Sequence, residues 1–324
     1  MEIFLILAGL GLLGGIVVVA VMSRRRQARI ARRNARVGID VKVDGGHINV
    51  VELGGQRRGR CFVLLHGSGA NLEDLRVSLG DRLARDARVL LIDRPGHGWS
   101  DVLDVKGGET PEGQAIAINQ VLNTLGADRP ILVGHDVGGA VALAYALSYP
   151  EDIGGLVVLS PLSHPDRVGM TLGQRLVLLP FVGNALAWLA VPVFGRWSQG
   201  QSLARAFAPQ AVPPDYYDSV AAELSLRPQT FIAGAAERAS LGGFLAEQSQ
   251  YYGQISVPVV IIAGEDDQTI LSEDHAGRLA REVSGDRWVK LSEVGHLPHH
   301  ASSNVVLFEI NRLAERLWAS LVER

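Results

Sequence analysis

Residues 132–140 read LVGHDVGGA. An apolar run reaches Gly134, two residues come next, and Gly138-Gly139 lead into the helix-like stretch AVALAYALSYP. This is the pattern of a strand that turns abruptly into a helix and exposes one side chain at the corner. Glycines around such a corner leave room for a backbone that larger residues would crowd. The corner residue is Asp136. Aspartate tolerates a left-handed backbone better than most residues, so the turn can form. The open question is what chemistry an acid performs in that position.

Similar apolar runs recur along the chain. CFVLLHG (61–67), RVLLID (88–93), PILVGH (130–135) and IGGLVVLSP (153–161) read as buried strands, and helix-like segments separate them. Thr110-Pro111-Glu112 opens one of these helices with a capping residue and a first-turn proline. Further upstream, VKV and HINVVEL flank Asp44-Gly45-Gly46 and predict a hairpin. The alternation stops from Leu162 to Ser256 and resumes at VPVVIIAG (257–264) and WVKLSEVGH (288–296). Strands alternating with helices predict an α/β fold, a mostly parallel sheet with helices on both faces. The interruption is too long for a loop, so 162–256 reads as a helical cap inserted into a core formed by 40–161 and 257–324.

The 324-residue chain carries a net charge of −3. That balance gives no basic field of the kind nucleic-acid binding uses. The single cysteine, Cys61, excludes an intrachain disulfide and is predicted to be a buried thiol. Ile3 to Met22 contains no charged residue, and Arg24, Arg25, Arg26, Arg29, Arg32, Arg33 and Arg36 come after it. An uncharged helix of that length spans about 30 Å, the thickness of a bilayer core. The charge asymmetry predicts a single-pass membrane anchor over 1–23, a basic juxtamembrane linker over 24–39, and a body facing the cytoplasm.

HGSGAN (66–71), DRPGHGWSD (93–101), GHDVGG (134–139), GEDDQTI (264–270) and GHLPHH (295–300) all fall at the carboxyl ends of predicted strands. Open α/β sheets place their sites there. In this order the motifs resemble those of the α/β-hydrolase fold superfamily, in particular its members with a helical cap. The resemblance covers roughly residues 40–320. It implies a catalytic set of Asp136 as nucleophile, His296 as base and Asp267 as the acid that orients it, with Asp266 as the alternative acid. It also implies an oxyanion hole built from the backbone N–H groups of Ser68 and Val137.

Serine is usual at the elbow. A carboxylate suits a different reaction: attack on an electrophilic sp3 carbon gives an enzyme ester, which water then hydrolyses. The resemblance to aspartate-type members therefore implies an epoxide hydrolase acting on a small apolar substrate without a cofactor. Haloalkane or haloacid dehalogenation, acyl hydrolysis without a covalent Asp136, and ligand binding without catalysis are the alternatives. Tyr216, Tyr217, Tyr251 and Tyr252 are candidates to protonate an epoxide oxygen. Trp99, Trp188 and Trp197 are candidates to hold a halide. His299 and His300 are not expected to bind a metal, since no carboxylate lies at a ligand spacing in their segment.

Overall fold

The computed structural model describes residues 1–55, 60–166, 168–283 and 287–322. Among the described residues, eight strands form one sheet, in chain order β1 (Ile39–Val43), β2 (Gly46–Leu53), β3 (Cys61–Leu65), β4 (Arg88–Ile92), β5 (Ile131–His135), β6 (Gly155–Leu159), β7 (Val259–Gly264) and β8 (Arg287–Leu291). Their spatial order is β1-β2-β4-β3-β5-β6-β7-β8. The predicted hairpin is present, with Val43 opposite Gly46. β2 also pairs antiparallel with β4, and the remaining neighbours are parallel. Every residue of β3, β4, β5, β6 and β7 is buried, because helices cover both faces of these strands. Cys61 lies among them, and burial pushes its thiol up to about 12.

The helices that bear on the site are α1 (Glu2–Arg33), α2 (Leu72–Leu75), α3 (Pro111–Leu125), α4 (Val137–Ser148), α5 (Leu172–Val177), α6 (Gly183–Phe207), α7 (Tyr216–Ser219), α8 (Pro228–Gln248), α9 (Pro298–Ala301) and α10 (Ser303–Val322). The Thr110 side chain caps α3 by accepting from Gly113 N–H, and Gly126 closes the helix in a left-handed conformation. Between β6 and β7 the described chain contains helices and no strand, with α5 to α8 among them.

The membrane expectation is corrected. Among the described residues, no helix is long and apolar enough to cross a membrane. The basic segment expected to be a juxtamembrane linker is helical and continues α1 without a break to Arg33. That half of α1 docks on the protein itself. Ser23 Oγ donates to the Trp188 carbonyl, Arg26 Nη1 donates to the Val193 carbonyl at 3.4 Å, and Arg33 pairs with Asp218 at 3.0 Å. Ile30 is fully buried against Leu224 and Leu226. Arg26 and Arg33 therefore belong to an intramolecular packing surface and not to a bilayer flank. The single-pass anchor, the bilayer as partner and the cytoplasm-facing membrane placement are all withdrawn.

A buried ion pair joins the inserted helices to the sheet. Arg94, which lies just after β4, is fully buried and pairs with the Glu237 carboxylate of α8. Gln114 of α3 completes the cluster, its Nε2 donating to Glu237 at 2.8 Å and its Oε1 accepting from Arg94 at 2.9 Å. Removing one partner of such a pair leaves a buried charge uncompensated. Glu237→Ala should lower the free energy of unfolding by about 3–5 kcal/mol, read from chemical denaturation. A loss below about 1 kcal/mol, the value of an exposed pair, would contradict a buried anchor at this position.

Candidate active site

The corner at the end of β5 is as tight as the sequence suggests. Asp136 has φ 51° and ψ −116°, a conformation that costs a non-glycine residue energy. A β-carbon on Gly138 would lie 2.2 Å from the Leu65 carbonyl oxygen, and one on Gly134 would lie 2.3 Å from that of Gly138. Strand β3 and helix α4 thus approach so closely that only glycine fits at these positions. The approach brings the loop after β3 over Asp136, and Ser68 N–H donates to Asp136 Oδ2 at 2.9 Å. Val137 is the first residue of α4, so its N–H has no acceptor within the helix.

The other two expected residues arrive from the ends of β7 and β8. His296 Nδ1–H donates to Asp267 Oδ2 at 2.8 Å. Asp267 Oδ1 accepts from the N–H groups of Thr269 and Ile270 at 2.7 and 3.0 Å, which fixes the carboxylate. Its neighbour Asp266, the alternative acid, is exposed. His296 Nε2 faces Asp136 Oδ1 at 3.9 Å, beyond a direct hydrogen bond. All three side chains are buried. The structure therefore brings Asp136, His296, Asp267, Ser68 and Val137 together.

Burial alone would raise the Asp136 carboxyl. The charges of His296, His135 and Arg238 and the Ser68 hydrogen bond outweigh it and hold Asp136 below the usual carboxylate range. For His296, burial pulls the imidazole down. The Asp267 charge and hydrogen bond and the Asp136 charge outweigh that pull and set it above the ordinary value. Asp136 is thus ionised at neutral pH, and His296 holds its proton to a higher pH than a free imidazole.

Around these groups lie residues whose contacts the sequence does not show. Arg94 Nε donates to the His66 carbonyl at 2.7 Å, and His66 Nε2 accepts from Arg94 N–H at 3.0 Å. His66 therefore holds the loop in place. Arg238 of α8 acts with its charge on both Asp136 and His296, and its Nε donates to the Gly169 carbonyl at 2.9 Å. It lies one turn before Leu241, which packs in one cluster with Val137. Asp74 of α2 accepts from His299 Nε2 at 3.0 Å and from His300 Nε2 at 2.8 Å. The carboxylate absent from the segment of the two histidines is thus supplied from elsewhere in the chain. Polar atoms of Asp74, His135 and His299 lie within 4.8 Å of one another, close enough to share a metal ion. However, both Asp74 oxygens already accept from imidazoles, and His135 Nε2–H donates to the His296 carbonyl at 2.9 Å. These bonds tie Asp74 and the Nε2 atoms into a hydrogen-bonded network, while among the described residues His135 Nδ1 and His299 Nδ1 are buried without a hydrogen-bond partner.

The profile of the alpha/beta hydrolase fold family matches residues 61–302. The chain belongs to the α/β-hydrolase fold family. Among curated relatives, this hydrolase is 28% identical over 244 residues to a 2-hydroxy-6-oxononadienedioate/2-hydroxy-6-oxononatrienedioate hydrolase of Burkholderia vietnamiensis, covering 69% of this chain and 80% of that protein. It is 26% identical over 268 residues to a 2-hydroxy-6-oxo-6-phenylhexa-2,4-dienoate hydrolase of Comamonas testosteroni, covering 79% of this chain and 86% of the relative. An esterase from Exiguobacterium antarcticum superposes with a TM-score of 0.67 at 22% identity, over 86% of this chain and all of the esterase, and that likeness concerns the fold.

The electrostatics predict a titration. A raised imidazole contributes stability that is complete below the ordinary histidine value near 6.5 and is lost as pH rises through the raised value. In histidine NMR of the intact protein, His296 should titrate above about 6.5, and Asp267→Asn should bring its midpoint down. A His296 midpoint left unchanged by Asp267→Asn would show that Asp267 does not charge-stabilise it.

Proposed function

We propose that this hydrolase uses Asp136 as a nucleophile on an electrophilic sp3 carbon whose leaving group departs as an anion. The observation that carries this reading is the division of labour between the two carboxylate oxygens. Ser68 N–H engages Oδ2, while Oδ1 faces the space shared with His296 Nε2. In the first step Oδ1 bonds to the carbon, the carbon–leaving-group bond breaks, and its electron pair leaves with the anion. Arg238 supplies the cationic field in which that anion forms. In the second step His296 Nε2 takes a proton from water, and the hydroxide adds to Cγ of the ester. Charge collects on Oδ2, opposite the N–H groups of Ser68 and Val137. The Cγ–Oδ1 bond then breaks, and the departing alkoxide takes the proton from His296.

Epoxide opening is less well supported than displacement of a stable anion. Tyr216 OH donates to Asp74, Tyr217 OH to Gln199, and Tyr252 OH to the Ser163 carbonyl, while Tyr251 is 46% exposed. The acids an epoxide oxygen would need are thus committed elsewhere or face solvent. The tryptophans considered as halide holders are placed no better. Trp188 and Trp197 are 44% and 75% exposed, and Trp99 stacks under Arg227 at 4.5 Å. Arg238 is a cation whose charge bears on both Asp136 and His296, with its Nε donating to the Gly169 carbonyl at 2.9 Å.

A second reading is favoured by the curated relatives, whose names describe hydrolases of oxo-dienoates. In it, water activated by His296 attacks a substrate carbonyl directly, and Asp136 stays unmodified. One experiment separates the two. The intact protein is run through a single turnover in heavy-oxygen water with 1-bromohexane, styrene oxide and a phenyl-substituted oxo-dienoate as separate probes. The peptide containing Asp136 is then weighed. Label in the Asp136 carboxylate with bromohexane supports the covalent route, and His296→Gln should trap the alkyl ester on the same peptide. Turnover of any probe with no label on Asp136 overturns the covalent route for that substrate, and such turnover of the oxo-dienoate supports the second reading.

A further inference from the structure

One buried carboxylate outside the reacting groups ties three parts of the molecule together. Asp74 lies on α2, directly after the loop that carries Ser68, and is 1% exposed. Besides the bonds from His299 and His300, its Oδ1 accepts from Tyr216 OH at 2.9 Å. His299 and His300 lie three and four residues after His296, on α9, and Tyr216 belongs to α7 in the inserted helices. Burial alone would raise this carboxyl, and the two imidazoles hold it well below the usual range.

The same three segments meet at further points. Asn71 caps α2 through its side-chain oxygen, and its Nδ2 donates to the Val220 carbonyl at 2.9 Å and the Ala221 carbonyl at 3.3 Å. His296 N–H donates to the Ala206 carbonyl of α6 at 3.0 Å. A β-carbon on Gly295 would lie 2.0 Å from the Ala208 carbonyl oxygen, so the inserted segment touches the backbone beside the catalytic histidine. From Asp74 the contacts continue inward. The His299 ring lies 4.5 Å from that of His135, and His135 lies 4.9 Å from His296.

We propose that Asp74 is a positioning residue that couples the seating of the inserted helices, through Tyr216, to the alignment of His296 and the Ser68 loop. The coupling rests on His296 being the working base and is independent of any bond formed by Asp136. Two of its bonds run to the chain just after His296 and one to α7. A displacement of α7 therefore removes a ligand from the carboxylate that orients the histidine segment. An unbalanced buried carboxylate then draws on its remaining donors.

The test uses hydrogen exchange and histidine NMR on the full chain. Tyr216→Phe deletes only one hydroxyl. Its expected effect is about a tenfold increase in amide exchange, the factor for one charge-assisted hydrogen bond. The increase should appear both at 216–226 and at 293–301, and the downfield Nδ1 proton of His296 should shift. Asp74→Asn should extend the effect to 66–71. His300→Gln keeps a donor for Asp74 and should restore what His300→Leu loses. The proposal is overturned if Tyr216→Phe raises exchange at 216–226 alone, with 293–301 and the His296 proton unchanged. It is also overturned if His300→Gln behaves like His300→Leu. Should Asp74→Asn not fold, the Tyr216 and His300 variants still decide the question. None of these readouts reports label on Asp136, so failure of the coupling and failure of the covalent route are separate results.

Discussion

The structure depends on how closely β3 and α4 approach at the end of β5. Without side chains at Gly134 and Gly138, the backbone can turn within van der Waals reach of the Leu65 carbonyl. That turn puts Asp136 in a strained conformation and aims its carboxylate at Ser68 N–H. The strain is held by the buried sheet on one side and by the Arg94 anchor on the loop on the other. His296 and Asp267 need only be delivered from β8 and β7, and parallel strands place their carboxyl ends at the same edge.

The site places two carboxylates around one imidazole, with the field of a guanidinium reaching both ends of the group. Asp267 is bonded to His296 and to two backbone N–H groups, so its charge serves orientation. Asp136 accepts from the Ser68 N–H on one oxygen, which leaves the other facing the space beside His296. The 3.9 Å gap between Asp136 and His296 matters for the same reason. A serine at this corner would need the histidine to take its proton, whereas an ionised aspartate does not. On the proposed covalent route the histidine, once unprotonated, is left to act on water. Identical surroundings can serve both chemistries, which is why the relatives' reactions do not transfer to this chain by fold alone.

Much of this was legible in the sequence. Continuous apolar runs marked the buried strands, because a strand covered on both faces has no polar side to display. Asp136, His296, Asp267 and Ser68 were legible because each sits where a strand ends in a glycine-bearing turn. Legibility ended where the deciding contact lay far away in the chain. The arginines after Met22 looked like membrane flanks, since nothing local reveals that Ser23 and Arg26 meet α6 more than a hundred residues later. Nothing near Asp74 in the sequence marks it, because its partners His299 and His300 lie more than two hundred positions away. The four tyrosines were all candidates to protonate an epoxide oxygen, because residue type shows a hydroxyl but not its acceptor. Arg238 carried no motif at all, and it takes contacts such as the Glu237–Arg94 pair and the packing of Leu241 with Val137 to show which way α8 faces.

The hydrogen bond from His296 N–H to Ala206 bears on how far the insertion can be exchanged. Inserted helices are often regarded as exchangeable parts that diversify while the sheet stays constant. Here the insertion supplies an acceptor to the main chain of the residue that would activate water. A segment put in place of this insertion would have to offer a carbonyl at the same point to keep the main chain of His296 where it is, and transplanting the insertion onto another hydrolase sheet would carry that acceptor with it.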